Sequence, residues 1–209
     1  LYGYAYREIK QGPTYDKSVL SVLAFENLPA TEEMDMFIDI NNRQVKVQKN
    51  LLEELYADLH WDSPNLAERY LALVSKVVGE LNSRKTSPIF DRVIVTGAKK
   101  TKVRCITRTS LSEGLKTAGL IGSIKKELFE PGPFADQDPQ KFELSLIKAS
   151  DALESILELF RERVPGNWEL GGRPGGYLCT NPSIRAIFLV IKDICEHIYI
   201  TDKKELSVY

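Results

Sequence analysis

The stretch from Met34 to Leu59 reads MDMFIDINNRQVKVQKNLLEELYADL. It predicts an apolar helical entry, a polar break at Asn41, Asn42, Arg43 and Gln44, and a second helix. Amide and guanidinium groups are poor core material, but they donate hydrogen bonds well to a phosphate. The polar break is therefore a candidate phosphate-binding segment. The alternative is that the asparagines cap and link the two helices while Arg43 pairs with a carboxylate.

Composition restricts the class of protein. The 209 residues are 43% hydrophobic and 27% charged, with a formal net charge of -1, which is typical of a globular protein. No global basicity indicates nucleic acid, so such a contact requires a local patch. The three cysteines are scattered, which predicts a reduced, cytoplasmic protein. The longest apolar run, residues 183–200, contains too many charges to span a bilayer, so no membrane partner is expected.

Periodicity predicts an α+β fold that is predominantly helical. Helices are expected from the Ser63-Pro64 cap to about residue 81, at 110–120, at 139–164 and at 181–199. Two strands, 92–96 and 102–109, are expected to form one β hairpin through residues 97–101. The predicted division is residues 1–60 and a mainly helical region over residues 61–209.

Basic residues gather in the predicted hairpin. The segment from Arg92 to Arg108 contains no acidic residue, and it includes the candidate DNA-binding residues Lys99, Lys100, Lys102 and Arg104. Such a local patch can bind a phosphate backbone. The alternative is a solvated edge whose lysines prevent strand-to-strand association.

A glycine-rich segment, residues 166–176, is predicted to be a loop before the last helix. Arg173 and the following Thr180-Asn181-Pro182 suggest an anion seat at a helix start, or else a tight connection between two helices. The segment has neither a dinucleotide-binding nor a P-loop pattern. No set of residues forms a complete catalytic or metal-binding pattern in the sequence, so no catalytic or metal-ligating residue is predicted.

The chain resembles the DGQHR-domain proteins, relatives of the DNA sulfur-modification protein DndB in the wider ParB/sulfiredoxin-like group. The resemblance is carried by LYGYAY at residues 1–6, by Val19–Pro29, by FIDINNRQ at residues 37–44, and by Ser87-Pro88-Ile89-Phe90 with Arg92-Val93. The DGQHR pentapeptide itself is absent. Because the chain opens on Leu1 where the family continues after that motif, we expect it to be the fragment downstream of the motif.

The resemblance implies a truncated ParB-like α/β piece over residues 1–60. It also implies that residues 41–44 form half of a nucleotide phosphate site, with a nucleoside triphosphate and Mg as the implied cofactor. The expected function is DNA binding and regulation in a DNA-modification, defence or mobile-element system, with DNA and proteins of that system as partners. Two alternatives stay open: a nucleotide hydrolase whose phosphate site the missing motif completes, and a helical scaffold that binds other proteins.

Overall fold

A computed structural model describes residue 29 and residues 32–36, 55–95 and 98–206, with side chains up to residue 199. The chain divides into two units, Leu1–Met36 and Phe37–Tyr209. In the first unit, residues 32–36 are helical. The features below belong to the second unit. The predicted boundary near residue 60 stays a prediction, because most residues before it lie outside the described part.

Helix α1, Leu66–Ser83, forms the centre of the second unit. The Asn65 side chain caps it by accepting the N–H of Ala67 at 2.9 Å. Ser63, the predicted cap, lies two residues before the observed cap. Its hydroxyl donates to Glu68 in the first turn of α1 at 2.6 Å, and this hydrogen bond lowers the pKa of Glu68. The apolar spacing of α1 predicts a buried face, and all of its members are buried except Leu66, which is half-buried: Leu66, Tyr70, Leu73, Val74, Val77, Val78 and Leu81.

The predicted hairpin near 92–109 is wrong. Strands β1, Val93–Ile94, and β2, Ile106–Thr107, are adjacent but parallel, in the register Val93↔Ile106 and Ile94↔Thr107. Side chains of other elements bind their free N–H groups: Asn82 accepts from Val93 at 3.1 Å, and Asn181 accepts from Thr107 at 2.8 Å. The side chains of Asn82 and Asn181 therefore satisfy two N–H groups that the strands of an antiparallel hairpin would have satisfied between themselves.

A hairpin is present elsewhere in the chain. Strands β3, Gly122–Lys125, and β4, Leu128–Pro131, are antiparallel. Their turn residues, Lys126 and Glu127, have φ of 49° and 66°. The mirror-image turn that suits a two-residue hairpin requires such left-handed residues, and it usually recruits Asn and Gly. The sequence carries neither residue there, so this hairpin was not predicted.

Besides α1, the described part of this unit contains a helical stretch over residues 55–59 and four further helices: α2, Arg108–Ala118; α3, Phe142–Arg163; α4, Pro165–Leu170; and α5, Asn181–Leu206. Helix α2 begins two residues before its predicted start at 110 and ends at Ala118, near the predicted end at 120, with Gly119 as a left-handed cap at φ 64°. Helix α3 begins three residues after its predicted start at 139 and ends one residue before its predicted end at 164, and α5 begins at the predicted residue, Asn181, but continues past the predicted end at 199. The predicted loop over 166–176 is partly wrong, because its first residues belong to α4.

One hydrophobic core joins these elements. Helix α1 packs on α2, α3 and the β3–β4 hairpin, and α2 packs on α5. Phe142, Leu153, Trp168 and Phe188 are among the largest fully buried side chains. The predominantly helical α+β class is confirmed. Within residues 55–95 and 98–206, no helix combines the length and apolar character needed to cross a membrane.

Candidate nucleic-acid interface

Three lysines stand out to solvent on one loop. Lys99, Lys100 and Lys102 are exposed, and the segment between Arg92 and Arg108 contains no carboxylate. The loop has a fixed local geometry: the Thr101 hydroxyl accepts the N–H of Arg104 at 2.8 Å, while the Thr101 N–H donates to the Arg104 carbonyl at 3.0 Å. The turn at Thr101 is why this segment does not run straight on as a hairpin strand. We call Lys99, Lys100 and Lys102 the lysine loop.

The arginines of the same segment have structural partners. Arg92 is buried, donates to the Trp168 carbonyl at 3.2 Å and pairs with Glu169. Arg108 is also buried and donates to the Ser75 carbonyl and hydroxyl at 2.7 and 2.8 Å. These two arginines therefore do not belong to an exposed patch.

Arg104, the fourth predicted DNA-binding residue, differs from the lysines. Its guanidinium pairs with the carboxylate of Asp91 and donates to the Asp91 carbonyl at 3.3 Å. A phosphate would have to compete with that carboxylate for Arg104. The contact of Arg104 with DNA stays a prediction, but the lysine loop is the more accessible group of charges.

The lysine loop borders a cavity of about 590 Å³. Lys100, Thr101, Lys102 and Cys105 lie on one side, and Gly172 and the start of α5, residues 180–182, lie on the other. The fold therefore brings together two segments that the sequence singled out separately, the basic patch and the start of the last helix. The volume lies within the range of small-molecule sites.

The glycine-rich segment contributes Gly172 to the lining of this cavity. The N–H of Gly172 donates to the Lys102 carbonyl at 2.7 Å. At Gly171 the φ is +58°, and a Cβ would lie 2.7 Å from that same carbonyl. Only glycine adopts this conformation and permits this approach without strain. The glycines thus hold the backbone of the lysine loop, which supports the tight-connection interpretation of this segment.

Side chains at the start of α5 already form hydrogen bonds with neighbouring backbone groups. Asn181 accepts the N–H of Thr107, and the hydroxyls of Thr180 and Ser183 donate to the Tyr177 carbonyl at 2.8 and 2.5 Å. Pro182 has no N–H to offer a ligand. The predicted anion seat at this helix start is therefore mainly a structural junction, and the lysines supply the charge around the cavity.

The thiols beside the cavity are not poised for chemistry. Cys105 donates to the Cys179 carbonyl at 3.3 Å. Burial raises the pKa of Cys179 to about 12. Because the thiolate is the reactive form of cysteine, a buried thiol of this kind is a poor nucleophile.

Ser63, His60 and Glu68 meet at the start of α1. The Ser63 hydroxyl donates to Glu68, and His60 Nδ1 lies 3.0 Å from the same carboxylate oxygen. A serine nucleophile would instead share its proton with the histidine. This cluster therefore stabilises the helix start, where a carboxylate is favourable. In residues 55–95 and 98–199, no group of three or more His, Cys, Asp or Glu side chains is placed to hold a metal ion.

The predicted phosphate-binding residues, Asn41, Asn42, Arg43 and Gln44, lie outside the described residues. Their role, and the nucleoside triphosphate with Mg implied for them, stay predictions.

Sequence reasoning missed Tyr177. This tyrosine follows Gly175-Gly176 directly before α5, and its side chain is 69% exposed. The signal in the sequence is an aromatic residue directly after two glycines, whereas its connection to the lysine loop arises only on folding.

Comparison with known proteins identifies no relative: no protein-family model, no curated protein and no solved structure matches this chain.

Proposed function

We propose that this protein is a DNA-associated binding and regulatory protein whose lysine loop contacts the phosphate backbone. The observation that carries the proposal is the display of Lys99, Lys100 and Lys102 on a fixed turn beside a cavity, in a segment without carboxylates. Lysine contacts with phosphates release counterions, and this release supplies most of the sequence-independent affinity for DNA.

The biological setting rests on the sequence. The resemblance to DGQHR-domain proteins supports a role in a DNA-modification, defence or mobile-element system. The lysine loop fits such a role because contacts to the backbone position a protein on DNA without reading its sequence. Base recognition, where a regulator needs it, requires additional residues.

Charge reversal of the lysine loop tests the proposal. We expect the triple variant Lys99→Glu, Lys100→Glu, Lys102→Glu to bind a DNA duplex more weakly than the unchanged chain, as measured by fluorescence anisotropy. Three phosphate contacts at roughly 0.9 each account for about 2.7 of the slope of log K against log salt. Between 50 and 200 mM salt the unchanged chain should therefore lose on the order of 40-fold more affinity than the variant.

The matched control reverses three other lysines. Lys85, Lys126 and Lys141 are exposed and lie outside the lysine loop, so Lys85→Glu, Lys126→Glu, Lys141→Glu changes the net charge equally. We expect this control to keep most of the affinity and the full salt slope. If both triple variants bind alike, or if the lysine-loop variant keeps the original affinity and slope, the proposal is wrong.

A further inference from the structure

Tyr177 is the most exposed large hydrophobic side chain in the described part of the chain, at 69%. Its neighbour Gly176 is buried, and Leu178 packs against the core. An aromatic ring left in water forgoes the burial that stabilises a folded chain. Stability of this fold therefore does not explain the position of the ring.

The backbone that presents this ring is anchored. The Tyr177 carbonyl accepts hydrogen bonds from the hydroxyls of Thr180 and Ser183. At Gly176 a Cβ would lie 2.3 Å from the Cβ of Leu170, so the chain packs tightly just before the tyrosine. The exposed ring is therefore attached to a backbone that hydrogen bonds and close packing hold in place.

The backbone of Tyr177 is linked to the lysine loop through residues that line the cavity. Thr180, which holds the Tyr177 carbonyl at 2.8 Å, lines the same cavity as Lys100 and Lys102. The glycine-rich segment before Tyr177 is bonded to Lys102 itself, through the 2.7 Å contact of the Gly172 N–H. The backbone of Tyr177 is therefore bonded to a residue that lines the cavity, its ring is exposed, and the exposed lysines Lys100 and Lys102 line the same cavity.

Resting on the proposed function, we propose that this surface binds single-stranded nucleic acid, with one unpaired base stacked on Tyr177 and the backbone beside the lysine loop. Proteins that bind single strands combine basic grooves with aromatic platforms, because every unpaired base has a face that stacks on an aromatic ring. In a duplex those faces are covered by neighbouring base pairs. Lysines alone attract both forms, and the ring adds a preference for the single strand.

The experiment compares Tyr177→Ala with the unchanged chain on a single-stranded oligonucleotide and on the duplex of the same sequence. Base stacking on an aromatic ring contributes about 1–3 kcal/mol, so we expect a roughly 5- to 150-fold loss of single-strand affinity. Duplex affinity should change less than about twofold. Tyr177→Phe should keep the single-strand affinity, because the ring face is retained. DNA and RNA single strands are both used, since the stacking chemistry is common to them.

The control is Tyr199→Ala, which removes another exposed tyrosine. Tyr199 lies on α5 roughly 27 Å from Asn181, at about 1.5 Å per helical residue. We expect this variant to bind like the unchanged chain. Circular dichroism of each variant verifies that the fold is retained.

The results separate the two proposals. If lysine-loop reversal weakens binding to both forms while Tyr177→Ala weakens neither or weakens both equally, the single-strand inference is wrong and the proposed function stands. If lysine-loop reversal leaves binding to both forms unchanged, the proposed function fails, and this inference fails with it.

Discussion

Tyr70 on α1 is expected to make the stability of this protein depend on alkaline pH. The side chain is 5% exposed, and its hydroxyl donates to the Gly122 carbonyl at 2.8 Å. Burial raises the pKa of Tyr70 to about 12 from its ordinary value of 10.0. Its contribution is fully present below pH 10. Between pH 10 and 12 the unfolded chain loses this proton and the folded chain keeps it, so stability falls as pH rises.

The magnitude follows from the shift in pKa. At pH 11, a tyrosine with a pKa of 10 when unfolded and about 12 when folded lowers the free energy of unfolding by about 1.4 kcal/mol relative to pH 8. The variant Tyr70→Phe lacks this proton. At pH 8 it should be about 1–3 kcal/mol less stable, because the buried Gly122 carbonyl loses its donor. At pH 11 the gap to the unchanged protein should narrow by about 1.4 kcal/mol.

Urea denaturation followed by circular dichroism at pH 8 and pH 11 measures this gap. Other groups that titrate in the same range are present in both proteins, so their effects cancel in the difference. Tyr177→Phe is the matched control: its ring is exposed, and we expect it to stay within about 0.5 kcal/mol of the unchanged protein at both pH values. A gap between Tyr70→Phe and the unchanged protein that is equal at pH 8 and pH 11 would refute the reasoning.

Two further predictions concern the core and the hairpin. Leu153 of α3 is fully buried, so Leu153→Ala should lower the free energy of unfolding by about 2–5 kcal/mol, as measured by urea denaturation. The volume-conserving Leu153→Met should lower it by less than about 1.5 kcal/mol. Equal losses in the two variants would contradict the tight packing around Leu153. The double change Lys126→Asn, Glu127→Gly suits the left-handed turn and should add about 1 kcal/mol, which raises Tm by roughly 2–4 °C. A lower Tm would show that the turn has another conformation.

Local patterns in the sequence predicted the helices well. Apolar spacing identified the buried face of α1 and, to within three residues, the extent of α3, and the Asn181-Pro182 cap pattern identified the start of α5. Such local patterns suffice because a helix satisfies its backbone within the segment. The β pairing of Val93–Ile94 with Ile106–Thr107 was predicted with the wrong direction. Strand pairing also depends on contacts outside the strands, here the hydrogen bonds that the side chains of Asn82 and Asn181 accept from Val93 and Thr107.

In the candidate site, too, the sequence shows where the basic residues lie, and folding decides which of them are exposed. The lysine-rich segment is visible in the sequence, but its six basic residues looked equivalent there. Folding buries Arg92 and Arg108, pairs Arg104 with Asp91 and leaves the lysine loop exposed. The carboxylate partners, Glu169 and Asp91, lie outside the segment, so no local pattern indicated which charges stay available.

By itself, the sequence determined where the longer helices α1, α2, α3 and α5 lie, which helix faces are apolar, and that basic residues concentrate between Arg92 and Arg108. Only the tertiary structure decided that β1 and β2 run parallel, that the lysine loop meets the start of α5 around one cavity, and that Tyr177, whose carbonyl is bonded to a residue lining that cavity, is exposed. The physical reason is the separation along the chain between the residues that interact. Helix periodicity is decided within a few neighbouring residues, whereas burial, ion pairing and cavities depend on residues brought together from distant parts of the chain.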